Sequence, residues 1–357
     1  MLNTEILDTP DLPGWDERVL SCGGSIYQTT SYAEYMNLSL GFSNYYILVK
    51  DGETIVGQVI IHSGPRFAKY LKGRREGLYK FFSKYFKVYN IIKGPVILKS
   101  ELKKDIYIAL LDCIDNLAKK DHVFMIQDFS LPIGESSEVY PLFLDKKFCS
   151  DDRGTVALDV TKSEEELWSA LQKTRRNVVR RGQNQGLQVK EAKSIDDYAK
   201  VIKIIKNMSK RNDVFAHPDE YYHCLFKTLG SKGLLKTFFI EKDGNGVATV
   251  SVYVFGKQVI QTLVAHTDYS IQEKISGVDF LEWFLIKWSH DNGYATYDLA
   301  GVRPKSIDPK DISLREFKMR WGGQVLEYPY FSKYYSKPKA FILNKLKDFF
   351  KSKKIGI

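Results

Sequence analysis

The side chain best placed for chemistry in this chain is Lys318, inside the run Phe317-Lys318-Met319-Arg320-Trp321-Gly322-Gly323. An aromatic anchor, a cation, a second aromatic and a Gly-Gly break read as the end of a short helix that hands over to a strand, the glycines supplying the φ freedom to leave it. The helix is expected to start near Ser313, with Glu316 completing a capping box. Lys318 then sits in the last turn. There it can face a pocket and steady negative charge, or lie in solvent and complement the helix end. Asp128 ends the strand-like run Met125-Ile126-Gln127, and Asp298 ends another before Leu299-Ala300-Gly301. Each can accept a proton from a substrate amine, or serve as a strand-end cap. No Ser/His/Asp or Cys/His arrangement stands out, and the six histidines have no metal-ligand spacing, so no metal is expected.

The elements that must position these groups come in two similar sets. FSNYYILV, the turn Lys50-Asp51-Gly52 and TIVGQVIIH make one hairpin; LLKTFFIE, Lys242-Asp243-Gly244 and VATVSVYVFG make another. In each half an apolar-periodic helix and a strand ending in aspartate follow, then a second helix and strand. This order argues two α/β (α+β) domains of one ancestry, each a mainly antiparallel sheet covered by helices. The expected boundaries are 1–153, with a basic insertion at 66–90, then 154–323, then a terminal segment 324–357.

The insertion holds Arg66, Lys69, Lys72, Arg74, Arg75, Lys80, Lys84 and Lys87 against the single acid Glu76. Aromatics interleave, among them Phe67, Tyr70, Tyr79, Phe81, Phe82 and Tyr85. Such a mixture suits phosphates and bases, or a lipid interface, and is also what a solvated helix face looks like. A single helix from Glu164 to about Gln185, capped by Ser163 with Glu166, is expected to carry Lys173, Arg175, Arg176 and Arg180, with 173, 176 and 180 on one face. The tail from Ser336 is basic and amphipathic, with Phe341, Leu343, Leu346, Phe349 and Phe350 among lysines. Its simplest role is to pack back on the body.

With 357 residues, 44% hydrophobic and 27% charged, the chain has material for two packed cores. Its net charge of +10 favours polyanionic partners: tRNA, phosphorylated substrates or an acidic membrane face. Cys22, Cys113, Cys149 and Cys224 are widely spaced and read as reduced, mostly buried thiols. The N-terminal residues lack the basic and apolar regions of a signal peptide, and no window approaches about 18 apolar residues. The expected compartment is the cytoplasm.

With FKMRWGG, the twin domains and the basic helix in place, the chain resembles the Fem-type peptidyltransferases. These move an amino acid from aminoacyl-tRNA to the peptide of a peptidoglycan precursor on a pair of GNAT-like domains. The matching residues are Gly24-Ser25-Ile26-Tyr27-Gln28, Lys93-Gly94-Pro95-Val96, the Lys173-Thr174-Arg175-Arg176 helix, Asp298-Leu299-Ala300-Gly301 and FK…GG. The resemblance implies that the final segment returns to the first domain and that Lys318 stabilises the oxyanion. It also implies that Asp128 stands in the substrate cleft, that Lys93, His217, Tyr221 and Asp298 bind substrate, and that Lys173, Arg175, Arg176 and Arg180 bind tRNA phosphates. Two cations of the family pattern are replaced, by Met36 and His217, which puts a UDP-linked acceptor in doubt. The reaction so implied moves an aminoacyl or acyl group on to an amine of an anionic precursor, with no cofactor. The alternative is a CoA-dependent GNAT N-acyltransferase, for which Gln272-Glu273-Lys274-Ile275-Ser276-Gly277 is a weak acyl-CoA loop. The expected partners are aminoacyl-tRNA or acyl-CoA, an anionic acceptor and a peripheral membrane contact, but not DNA.

Overall fold

The computed structural model describes residues 2–10, 14–73, 75–135, 138–213 and 215–352. Arg74 lies outside them, as do the side chains of Leu346, Phe349 and Phe350. The chain forms two units, Met1–Asp152 with Tyr328–Ile357, and Arg153–Glu327.

The first unit runs β1 (Asn3–Leu7), α1 (Gly14–Ser21), α2 (Thr30–Leu40), β2 (Ser43–Asp51), β3 (Thr54–Pro65), α3 (Ala68–Leu71) and α4 (Glu76–Tyr85). It continues through β4 (Lys87–Asn90), β5 (Val96–Ile97), α5 (Lys103–Lys120), β6 (Met125–Ser130), α6 (Tyr140–Asp145) and β7 (Cys149–Ser150). The second unit has β8 (Gly154–Asp159), α7 (Glu164–Ala170), α8 (Lys173–Asn184), β9 (Val189–Glu191), α9 (Ile195–Arg211) and α10 (Asp219–Leu225). After these come β10 (Leu235–Lys242), β11 (Asn245–Phe255), β12 (Gln258–His266), α11 (Asp268–Gln272), α12 (Gly277–Asp291), β13 (Thr296–Val302), α13 (Pro309–Met319) and β14 (Gln324–Glu327). β15 (Tyr330–Tyr334) and α14 (Lys337–Ser352) complete the first unit.

The sheets read alike. One has the order β1-β2-β3-β4-β6-β15-β7, with β5 on β3; the other, taken from its far edge, is β9-β10-β11-β12-β13-β8-β14. Each has one parallel pair at its centre, β4 with β6 and β12 with β13, and antiparallel pairs elsewhere among the described residues. The sixth place is exchanged along the chain. β8, which follows β7, fills it in the second sheet, and β15, which follows β14, fills it in the first. The returning segment starts at Tyr328 rather than at 324, because β14 still pairs with β8.

The shared Lys-Asp-Gly tripeptide makes two different turns. Asp243 and Gly244 are both left-handed (φ +52° and +75°) between paired Lys242 and Asn245, a two-residue loop suited to Asp-Gly. In the first hairpin Asp51 pairs with Thr54, so the loop shifts by one residue to Gly52-Glu53.

Three local expectations are corrected. The helix carrying Lys318 starts at Pro309, with Asp308 accepting from the Lys310 N–H, so the cap is Asp-Pro and not Ser313. The helix expected at 164–185 breaks at Leu171 and Gln172, both extended, where the Gln172 N–H bonds to the Arg320 carbonyl. Its first half does carry the Ser163/Glu166 capping box. Finally, Cys22 and Cys149 are exposed and Cys113 and Cys224 half-buried; all four are free thiols. Cys149 lies on the two-residue strand β7, too short to bury either of its faces.

Candidate functional site in the second unit

Parallel strands β12 and β13 pair only from Gln258 to Ile260 and from Thr296 to Asp298. Beyond that point they part, because β13 bulges between Asp298 and Gly301 where it pairs with β8. Ala300 takes a left-handed φ of +65°, strained for a residue with a Cβ. Asp298 holds the bulge: its carboxylate accepts from the Ala300 N–H at 2.7 Å and from the Thr155 hydroxyl. Thus Asp298, expected to bind substrate, is a buried anchor that shapes the backbone.

The bulge serves Lys318. Its Nζ donates to the Ala300 carbonyl at 3.1 Å and to the Gly301 carbonyl at 2.9 Å. An ammonium has three donors, so one remains beyond these two. The side chain is largely desolvated, which lowers its pKa below the usual lysine value against the opposing pull of Asp298 and Glu282. Gly322 (φ +88°) and Gly323 let the chain leave α13. A Cβ on Gly323 would stand 2.7 Å from Val156 Cγ1 and 3.1 Å from the Ala157 carbonyl.

Between the parted strands lies a cavity of about 670 Å³. Gln261, Val264 and His266 of β12 line it, with Leu299 of β13, the Lys274–Gly277 loop and first turn of α12, and Phe317 with Lys318 of α13. Most of the lining is apolar, and its carboxylates are Asp279 and Glu282, three residues apart on one face of α12. Asp279 is paired with Arg175, although burial still pushes its carboxyl up. Glu282 is almost wholly buried. It accepts from the Tyr297 hydroxyl at 2.8 Å and from the Gln261 amide. Burial outweighs these bonds and raises its carboxyl to about 7. Sequence reasoning passed over this residue. The signal was present: position 282 lies by helical spacing with Val278, Leu281 and Leu285 on an apolar stripe of α12, and a glutamate on such a stripe needs a reason.

The four cations expected to meet tRNA divide. Arg175 turns inward to Asp279, its guanidinium 5.2 Å from the Phe317 ring and 5.9 Å from that of Trp321. Arg176 donates to the carbonyls of Ser169 and Leu171, closing the end of α7 where the helix breaks. Lys173 and Arg180 are exposed, Arg180 lying over Trp168 at 5.5 Å. Arg181, the last member of the same basic run, was given no binding role from the sequence, yet it lines the cavity and donates to Ser276 Oγ at 2.7 Å. His217 and Tyr221 stack on each other at 3.7 Å at the start of α10 and do not line this cavity.

The remaining candidates belong to the first unit. Asp128 (φ +53°) follows Gln127, where the β4–β6 pairing ends, as Ala300 follows the end of the β12–β13 pairing. It accepts from the Tyr330 hydroxyl of β15. Lys93 (φ +52°) has its Nζ 3.0 Å from the Tyr328 ring centroid, and its N–H bonds Ser130 Oγ at 2.9 Å. The Gly24–Gln28 motif is structural: the Gln28 amide bonds the Ile92 carbonyl (2.9 Å) and accepts from the Ile60 N–H (2.8 Å). A Cβ on Gly94 would meet this amide at 2.7 Å. Met36 is buried on α2.

Residues 169–307 match the acetyltransferase (GNAT) domain family. No curated protein matches the chain. Among solved structures, FemX is similar at 14% identity and TM-score 0.71, covering 91% of this chain and 97% of FemX. The L-PGS of Bacillus licheniformis is similar at 10% identity and TM-score 0.56, over 95% of this chain and 96% of that one. A tandem GNAT protein of the clavulanic acid biosynthesis pathway is similar at 10% identity and TM-score 0.56, covering 94% and 98%. Residues 169–307 are thus an acetyltransferase (GNAT) domain with a formed cavity, and the chain as a whole shares the tandem GNAT fold of these structures.

Proposed function

We propose that the chain transfers an aminoacyl group from aminoacyl-tRNA to an amine of a phosphate-bearing cell-surface precursor, with the cavity of the second unit holding the reacting carbonyl. The observation that carries this reading is Lys318, tied to two backbone carbonyls with one donor left over, in a largely apolar cavity that also contains Glu282. The acceptor nitrogen attacks the ester carbon, a C–N bond forms, and the electron pair moves to the carbonyl oxygen beside Lys318. A cation there stabilises the oxyanion more strongly than it would in water, because the cavity lining is largely apolar. Collapse breaks the C–O bond. The proton of the amine passes to Glu282 and then to the departing alkoxide.

The carboxylates support an aminoacyl donor. Its α-ammonium would be costly in a wholly apolar cavity, and Asp279 and Glu282 offer acceptors for it. The acyl-CoA alternative has its own support, since the Lys274–Gly277 loop lines the cavity and leads into α12. Asp128 and Lys93 are proposed to act on the acceptor, and a reaction drawing on charged tRNA belongs in the cytoplasm. Affinities for aminoacyl-tRNA and for acetyl-CoA at two salt concentrations decide between the donors. A steep salt dependence for tRNA supports the first reading. No tRNA binding at low salt, with acetyl-CoA retained, overturns it.

A further inference from the structure

The insertion at 66–90 and the start of α14 share one apolar cluster, which carries more aromatic surface than it needs. Leu71, Phe82, Phe86 and Leu343 are buried together, with Ala340 packed against them. Phe81 and Tyr85, one turn apart on α4 with rings 5.1 Å apart, stay 43% and 42% exposed. Phe341 and Ile342 flank the buried Leu343 and are 65% and 50% exposed. The same segments carry exposed cations, Lys69, Arg75, Lys80 and Lys84 in the insertion and Lys337 and Lys345 on α14, with Lys84 5.2 Å from the Tyr85 ring and Lys345 5.7 Å from the Phe341 ring. Among the described side chains of these two segments the acid is Glu76, whose carboxylate accepts from the Gly73 N–H at 2.8 Å; Asp348, farther along α14, lies outside them.

We propose that this face of the first unit docks on an anionic lipid surface, with Phe81, Tyr85, Phe341 and Ile342 entering the headgroup region and the surrounding cations meeting lipid phosphates. Charge complementarity selects this occupant. A face with six exposed cations and, among the described side chains, one acid already bonded to backbone fits anionic headgroups, and each cation near such a surface adds to the attraction. The apolar members select lipid over nucleic acid, since exposed Ile342 has no ring to stack on a base. Among the described residues no helix is long and apolar enough to cross a membrane, so the contact is interfacial. It does not depend on the donor or acceptor in the transfer reaction.

The test is co-sedimentation of the full chain with vesicles of phosphatidylcholine alone and of equal parts phosphatidylcholine and phosphatidylglycerol. The wild type should pellet with the anionic vesicles only, and less at high salt. Phe81→Ser with Phe341→Ser, both at exposed positions, should lower partitioning by roughly tenfold or more with circular dichroism unchanged. Lys80→Glu with Lys84→Glu, which leaves the apolar cluster intact, should do the same. A wild type that stays in the supernatant overturns the proposal, as does either double variant sedimenting like the wild type. So does loss of RNA retention in the variants while vesicle binding persists.

Discussion

Lys318 and Glu282 show the two ways in which a functional side chain meets the sequence. Lys318 was legible because its neighbours punctuate a helix end, Phe317 before it and Gly322-Gly323 after. Glu282 was hidden because it stands singly among the apolar Leu281, Trp283, Leu285 and Ile286 of α12, and its partners Gln261 and Tyr297 come from distant strands. Its titration gives a prediction. The folded carboxyl holds its proton up to about pH 7, whereas the unfolded one releases it near 4.5. Between these values the folded chain binds more protons, so stability falls as pH rises, by about 3 kcal/mol in all. Urea denaturation from pH 4.5 to 8 should show this slope, and Glu282→Gln should flatten it. The same variant should remove the rise of transfer rate through about pH 7 that a catalytic base requires. An unchanged pH profile would remove Glu282 from the chemistry. At the alkaline end, the rate should fall before the usual lysine range as desolvated Lys318 loses its proton.

At the scale of elements, α8 separates structural cations from available ones. Helical spacing placed residues 173, 176 and 180 together, but spacing along one helix cannot show that the helix breaks before it. The break at Leu171 leaves carbonyls that Arg176 satisfies. Arg176→Ala should therefore cost about 2 kcal/mol of stability, the range for hydrogen bonds from a charged group, read by thermal or urea denaturation. Lys173→Ala with Arg180→Ala should leave stability nearly unchanged. If tRNA phosphates meet this face, the double variant should weaken all tRNAs alike and reduce the salt slope by about two log units. An unaltered slope would place the tRNA contacts elsewhere. The helix of Lys318 was misplaced for a related reason: Ser313 and Glu316 form a valid capping pattern, yet Asp308-Pro309 lies upstream and starts the helix first.

For the whole molecule, the paired hairpins made two like domains legible, whereas the exchanged strand was not. β8 and β15 are short segments of six and five residues, and nothing in their residues says which sheet each joins; the return was anticipated only through family resemblance. The consequence is that a residue near the C-terminus belongs to the core of the N-terminal unit. Phe331 is fully buried and stacks on Phe143 at 4.0 Å. Phe331→Ala should cost about 3–5 kcal/mol and, by hydrogen exchange, loosen β6 and β7 while β13 and β14 keep their protection. Loosening confined to β13 and β14 would contradict the topology.

The central claim is that Lys318 stabilises the transferring carbonyl, and a transfer assay tests it most directly. Full-length protein is incubated with radiolabelled aminoacyl-tRNA and a pool of amine-bearing cell-surface precursors, and label in base-stable amide linkage is counted. The wild type should accumulate such product. Lys318→Met should fold normally yet lose roughly 100- to 1,000-fold in rate, the usual cost of removing an oxyanion donor. Turnover by Lys318→Met close to that of the wild type would contradict the account.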